Sequence, residues 1–266
     1  MVESASARTA PQNSRLWGAR AAAWAQIQEG QCRAAYLAAF DRLAPLRGLD
    51  YLDAGCGAGM AAQIAAERGA HVSGVDAAPA LLEIARQRVP GGSFREADLE
   101  SLPFPAKSFE CITGFNSFQY AGNPIAALHE AKRVARPGAK ILIMTWGPPD
   151  GMPAASLVTA LRPLMPPPPP GAPGPFALSD ERALRALASG AGLQPRDILD
   201  VDCPFTYSSL EQALTGLKSA GVAVRAIEAT SEAAVDHAYT EALAPFRQSD
   251  GSYRALGRFR CLVSEV

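Results

Sequence analysis

Tyr51-Leu52-Asp53-Ala54-Gly55-Cys56-Gly57-Ala58-Gly59-Met60 is the stretch that decides how this chain folds. An apolar, strand-like run enters three glycines at alternate positions and leaves into an alanine-rich helical pattern. Such a turn lets backbone approach a ligand where any Cβ would block it, and it points the first N–H groups of the next helix at that ligand. The dinucleotide fingerprint G-x-G-x-x-G would need its third glycine at position 60, which is Met60, so that reading fails. The spacing is G-x-G-x-G, with Asp53 just ahead of it. A second acid, Asp76, closes the next strand-like run, where its two oxygens are placed to clasp a ribose diol.

Working outward, strand-like runs at Asp50–Ala54, Ala70–Val75, Gly92–Arg95, Phe109–Gly114 and Lys140–Trp146 are separated by helical patterns. These helices are Met60–Glu67, Pro79–Arg88 and Pro124–Ala135. Alternation with short connections is the sequence form of βαβ units, so the expected fold is a doubly wound, mostly parallel α/β sheet of Rossmann-like type. Pro79 suits a first helical turn, and Arg136-Pro137-Gly138 reads as a stop. Residues 1–17, small and polar, read as a flexible N-terminal tail, and Gly18–Leu46 as two short helices interrupted at Gly30. The cofactor-binding core is thus placed at 18–146.

Beyond Trp146 the composition changes. Residues 147–194 contain a proline run, Pro166–Pro170, read as a stiff loop, and then a helix, Ser179–Ala188, capped by Ser179. A core strand is placed at 195–205, helical pattern again over Leu210–Leu243, and a final core strand at 257–266. Segments 147–194 and 206–256 are each longer than one crossover requires, which predicts that both contribute to a helical lid over one end of the sheet.

The 266 residues are 48% apolar and 19% charged, with a formal net charge of −1, which excludes disorder, collagen and coiled coil. That balance offers no electrostatic reason for a nucleic-acid or anionic-membrane partner and favours a small-molecule one. No apolar run is long enough to span a membrane. Five scattered cysteines without a C-x-x-C pair argue against a disulfide framework or structural zinc and for a reducing, cytoplasmic setting. No His, Cys and carboxylate set has ligand spacing, so no metal is expected.

Five stretches occur in order at compatible spacing: Leu52–Gly59, Val75-Asp76, Ala97-Asp98-Leu99-Glu100-Ser101-Leu102-Pro103-Phe104, Ser108-Phe109-Glu110 and Val134–Gly138. On them, residues 20–146 resemble the class I methyltransferases that use S-adenosylmethionine, in particular the small-molecule group that includes the ubiquinone and menaquinone enzymes. The resemblance implies that Asp53, Ala54, Gly55, Cys56, Gly57 and Gly59 hold the methionine end of the cofactor. It implies that Asp76, with Ala77, takes the ribose and that Asp98, with Leu99, takes the adenine. Asn116 would face the reacting centre, with Ser117 and Tyr120 near it.

The implied activity is methyl transfer to the oxygen, nitrogen or carbon of a small organic acceptor. Alignment with the methyl carbon supplies most of the rate, and a dedicated base is optional. No catalytic residue is assigned; among the histidines only His237, in the expected lid, is a candidate base. Trp24, Trp146 and Phe205 are expected to line a substrate pocket, Trp146 because it stands at the carboxyl end of a strand. Two other readings use the same fold: a cofactor-binding protein that catalyses a cyclisation or rearrangement without losing methyl, and a ligand-binding regulatory module.

Overall fold

The computed structural model describes residues 9–167 and 174–266. Pro168–Pro170 of the proline run and residues 1–8 of the expected tail lie outside the described residues.

The rest of the expected tail is not a tail, because a helix, α1 (Ala10–Gly18), begins with Pro11 in its first turn. Its buried Leu16 and the packed Trp17 hold it down. A second helical run follows in four pieces: α2 (Ala21–Ala23), a π-turn at Trp24–Gln28, a 3-10 turn at Glu29–Cys32 containing Gly30, and α3 (Arg33–Leu43). The expected break at Gly30 is therefore a change of helical pitch rather than a gap. Such a change rotates the side chains around it, which matters below.

The core then runs β1 (Asp50–Ala54), α4 (Met60–Glu67), β2 (His71–Asp76), α5 (Pro79–Arg88), β3 (Ser93–Glu96), β4 (Phe109–Phe115), α6 (Pro124–Val134) and β5 (Ala135–Trp146). After it come α7 (Ala155–Thr159), α8 (Glu181–Gly190), β6 (Gln194–Tyr207), α9 (Leu210–Leu217), α10 (Gly221–Ala229), α11 (Glu232–Leu243) and β7 (Tyr253–Glu265). The cap of α8 is Asp180, which accepts from the Ala183 N–H at 2.8 Å, and not Ser179. The seven strands form one sheet in the order β3-β2-β1-β4-β5-β7-β6, parallel except for β7, which is antiparallel to both its neighbours.

Strand residues alternate between the two faces. Tyr51, Leu142 and Met144 pack with α3 and α4 on one face, whereas Leu52, Ile141 and Ile143 pack with α6 and α8 on the other. This placement revises the expectation for 147–194 at α8, which buries Leu184 and Ala188 against the sheet as a flanking helix. It also corrects 206–256. Leu217, Val235, Tyr239 and Leu243 of α9 and α11 join the core of the first face. Gly221 of α10 meets α1 so closely that a Cβ there would stand 2.9 Å from the Trp17 indole. These helices pack against the N-terminal helices and the core of the first face.

Candidate functional site

The glycine turn is anchored to the neighbouring strand, because the N–H groups of Gly55 and Cys56 both donate to the Val75 carbonyl, at 2.8 and 2.9 Å. Its three glycines do different work. At Gly55 (φ +79°) a Cβ would meet Ser117 Cβ at 2.3 Å, and at Gly59 (φ +84°) it would meet Ala85 Cβ at 2.8 Å, so both permit close packing. At Gly57 (φ +53°) the nearest atoms are 3.6 Å away, Glu29 Oε1 and the Trp24 indole nitrogen.

A cavity opens beside Gly57 at the carboxyl ends of β1 to β4. Of the residues expected to bind cofactor, Gly55, Gly57, Asp76, Ala77, Asp98, Leu99, Asn116, Ser117 and Tyr120 line it. Asp53, Ala54, Cys56 and Gly59 do not. Asp53 is buried beneath the turn, where its Oδ1 accepts from Thr113 Oγ1 (3.3 Å), itself 2.5 Å from the Tyr51 hydroxyl. Burial pushes the Asp53 carboxyl up to about 8. Ala54 presents its carbonyl to Ser117 Oγ at 2.5 Å, and Cys56 is a buried filler.

The two cavity acids are held differently. Asp76 has both oxygens engaged, Oδ2 by the Gly57 N–H and Oδ1 by the Ala78 N–H, each at 2.9 Å, so it is fixed in place; burial raises its pKa, and those N–H groups oppose the rise. Asp98 is half-used. Its Oδ1 accepts from the Glu100 N–H at 2.9 Å, while its Oδ2 is buried with no hydrogen-bond partner among the described residues. A buried acceptor without a donor is costly, and a ligand N–H in the cavity would satisfy it.

The roof comes from the N-terminal residues, which the sequence reading missed. Thr9 Oγ1 and Asn13 Nδ2 both donate to the Tyr120 carbonyl, at 2.8 and 3.0 Å. Trp17 packs edge-on against Tyr120 and Trp24, with centroids 5.4 and 5.0 Å apart. Thr9, Asn13, Cys32, Tyr36 and Phe115 all line the cavity without having been expected there. Only the helical spacing of Trp17, Trp24 and Tyr36 could have marked this face.

Trp24 lines the cavity, whereas Trp146 and Phe205 do not. β5 pairs with β7 through Trp146 and Phe259, so the indole stacks on that cross-strand ring at 4.8 Å, and Phe205 packs against both. β6 lies three strands from β4, about 14 Å away, too far for Phe205 to reach the site. His237 stands on α11 with its side chain 75% exposed, beside Glu241, and does not line the cavity. Among the described residues, Asp76 and Asp98 are the carboxyl side chains that line it, and no histidine, lysine or arginine does. Among the described residues no group of His, Cys, Asp and Glu forms a metal site.

Comparison with known proteins bears out the resemblance over the core. Residues 52–143 match the family described as "Methyltransferase domain". The malonyl-[acyl-carrier protein] O-methyltransferase of Serratia marcescens is 38% identical over 98 residues, 37% of this chain and 38% of that protein. The ubiquinone biosynthesis O-methyltransferase of Hahella chejuensis is 34% identical over 110 residues, 40% of this chain and 46% of that protein. The chain thus spans less than half the length of these curated relatives. Among solved structures, the YcgJ protein of Bacillus subtilis superposes with a TM-score of 0.58 at 22% identity, covering 88% of this chain and 98% of that one, a likeness of fold.

Proposed function

We propose that the methyltransferase domain carried by residues 52–143 binds S-adenosylmethionine and that the chain transfers its methyl group to a small, largely apolar acceptor. The observation that carries the reading is Asp98, a residue of the cavity wall whose buried Oδ2 has no donor of its own. The exocyclic amine of an adenine supplies that donor, with Ala97 and Leu99 beside the ring. Asp76, fixed on the adjacent strand, would then take the ribose hydroxyls with the remaining lone pairs of its oxygens. Continuing along the strand ends, the amino-acid tail would lie against Gly55, Gly57 and Asn116. A phosphate-bearing dinucleotide fits this wall poorly, because the charges that line it are negative.

When bound, this cofactor supplies a methyl group on a positively charged sulfur that leaves readily. The chain's own contribution is alignment and exclusion of water. Trp17, Trp24, Tyr36, Phe115 and Tyr120 wall the space beside Asn116 with rings, whose faces favour a cation and an apolar acceptor. Burial holds the Tyr36 hydroxyl well above its ordinary pKa and pushes that of Tyr120 up to about 12, so both stay neutral and act as donors. With no histidine in the lining among the described residues, the acceptor that suits it is one that attacks without a base in the wall, an amine lone pair or an electron-rich carbon, and a lone carboxylate is disfavoured beside the two acids. The names of the relatives, O-methyltransferases acting on acyl-carrier and quinone substrates, support methyl transfer to a metabolite-sized group. A cytoplasmic setting fits the five free, buried cysteines and the absence of any described helix long and apolar enough to cross a membrane.

The test is incubation with methyl-labelled S-adenosylmethionine and a panel of phenols, amines and carbon nucleophiles, followed by detection of S-adenosylhomocysteine and labelled product. Turnover on neutral acceptors is the expected result. Cofactor binding without demethylated product on any acceptor would overturn methyl transfer, and no binding would overturn the site.

A further inference from the structure

Glu29 and Arg88 form an ion pair directly behind the glycine turn, and neither belongs to the site as read from sequence. Glu29, on the 3-10 turn, is only 3% exposed. Its Oε2 takes the Arg88 guanidinium. Its Oε1 accepts from the N–H of Met60, the first residue of α4, at 3.3 Å, and lies 3.6 Å from where a Cβ on Gly57 would stand. Arg88, the last residue of α5, also donates to the carbonyls of Ala58 (3.0 Å) and Ala25 (2.7 Å). The pair therefore ties the π-turn that carries Trp24 to the exit of the glycine turn, and both charges are fixed in position.

This arrangement is unusual for a glycine turn leading into a helix. There the first N–H groups and the helix dipole attract a ligand's phosphate. Here a carboxylate of the chain already faces that N-terminus. The carboxylate is the end of the pair nearest Gly57, because Oε1 accepts from the Met60 N–H and stands beside Gly57, while Arg88 is engaged by Oε2 and by the Ala58 and Ala25 carbonyls. Buried charges are weakly screened, so that orientation is felt at the cavity wall.

We propose that Glu29 is a positioning residue that selects ligand charge: it occupies the anion position at the start of α4, closes it to phosphate, and presents negative potential through Gly57 to the ammonium group of the cofactor's amino-acid end. The inference rests on the cofactor reading above. It makes Glu29 matter for the tail of the ligand and not for its nucleoside.

The experiment is calorimetric titration of wild type, Glu29→Gln and the double variant Glu29→Gln/Arg88→Met with three ligands. These are S-adenosylhomocysteine, 5′-methylthioadenosine, which lacks the amino-acid end, and ADP, which carries pyrophosphate in its place. The double variant leaves no lone guanidinium, so it answers the question if the single variant folds poorly. Expected is a loss of about tenfold for S-adenosylhomocysteine, the scale of one charge-assisted hydrogen bond, with 5′-methylthioadenosine changed by less than about twofold and ADP bound more tightly. Equal losses for the two adenosine thioethers, or no loss for either, would overturn the inference while leaving the cofactor reading intact. Unchanged ADP affinity would overturn the closure to phosphate. Failure of wild type to bind S-adenosylhomocysteine would overturn the cofactor reading and this inference together.

Discussion

Replacing Gly57 and Gly59 by alanine in turn separates the two tasks of the glycine turn. Both have positive φ, +53° and +84°, so an alanine at either incurs the left-handed backbone penalty of about 1–2 kcal/mol. Their surroundings differ. At position 57 the new methyl would stand 3.6 Å from Glu29 Oε1 and from the Trp24 nitrogen, an ordinary contact. At position 59 it would stand 2.8 Å from Ala85 Cβ and 2.9 Å from Ala85 Cα, so α4 and α5 must move apart, which adds about 1–3 kcal/mol. At about 2–4 °C per kcal/mol for a chain of this size, Gly59→Ala should melt about 2–12 °C below Gly57→Ala. Ligand affinity should run the other way, because the methyl at 57 enters the cavity wall and the methyl at 59 does not. We expect Gly57→Ala to bind S-adenosylhomocysteine about tenfold more weakly, a cost of 1.4 kcal/mol, and Gly59→Ala to bind within about threefold of wild type at a temperature where it is folded. Thermal denaturation without ligand and calorimetry with it read the two effects independently. Coincident melting curves, or a larger affinity loss in Gly59→Ala, would refute the division of roles.

Three further outcomes follow from the site. In Asp98→Asn the amide carbonyl keeps the Glu100 N–H and the NH₂ turns into the cavity, so a donor replaces the free acceptor. Affinity for S-adenosylhomocysteine should fall about tenfold and the preference over its inosine analogue should shrink or reverse; an unchanged preference would rule out adenine at Asp98. Asp53, lifted by burial from 3.8 to about 8, keeps a proton in the folded chain that the unfolded chain releases, so it erodes stability as pH rises between those values. Asp53→Asn should flatten that slope in ligand-free melts between about pH 5 and pH 8, and parallel curves for the two proteins would contradict it. His237→Ala should leave kcat and KM within about twofold, as expected of an exposed helix residue, and a collapse of kcat would restore it as a base.

Much of the core was legible because its signals are local. β1, α4 and α5 have the bounds read from sequence, since Gly59 precedes the first helix and Pro79 opens the second. The acids at strand ends were legible for the same reason: their distances from the turn are fixed by one strand and one helix. What was not legible depends on long-range pairing. An aromatic residue at a strand end reads the same whether it faces a ligand or a cross-strand ring, and only the antiparallel pairing of β5 with β7 assigns Trp146 to Phe259. Residues 10–18 carry too few apolar side chains to announce a buried helix. α1 is held instead by Trp17 against Gly221, by the Arg15–Glu228 pair and by the Tyr120 carbonyl, partners far along the chain. Glu29 has no local signature either, since its partner Arg88 lies 59 residues away. The glycine beside it, Gly30, marked only that the helix changes there.

A net charge of −1 conceals a strongly asymmetric site. Asp76 and Asp98 line the cavity at the carboxyl ends of β2 and β3, Glu29 stands beside the turn with Arg88 as its cation, and Asp53 lies buried beneath it. The acids feel one another: the charges of Glu29 and Asp76 add to the burial that raises the Asp53 carboxyl. Such a grouping of acids is costly without a cation, and among the described residues no lysine, arginine or histidine lines the cavity wall to relieve it. A ligand with positive charge near Gly57 relieves it, whereas a pyrophosphate there would compound it. The failed third glycine at Met60 and the carboxylate of Glu29 against the Met60 N–H are therefore two expressions of one preference, for a nucleoside whose tail carries an ammonium group in place of phosphate.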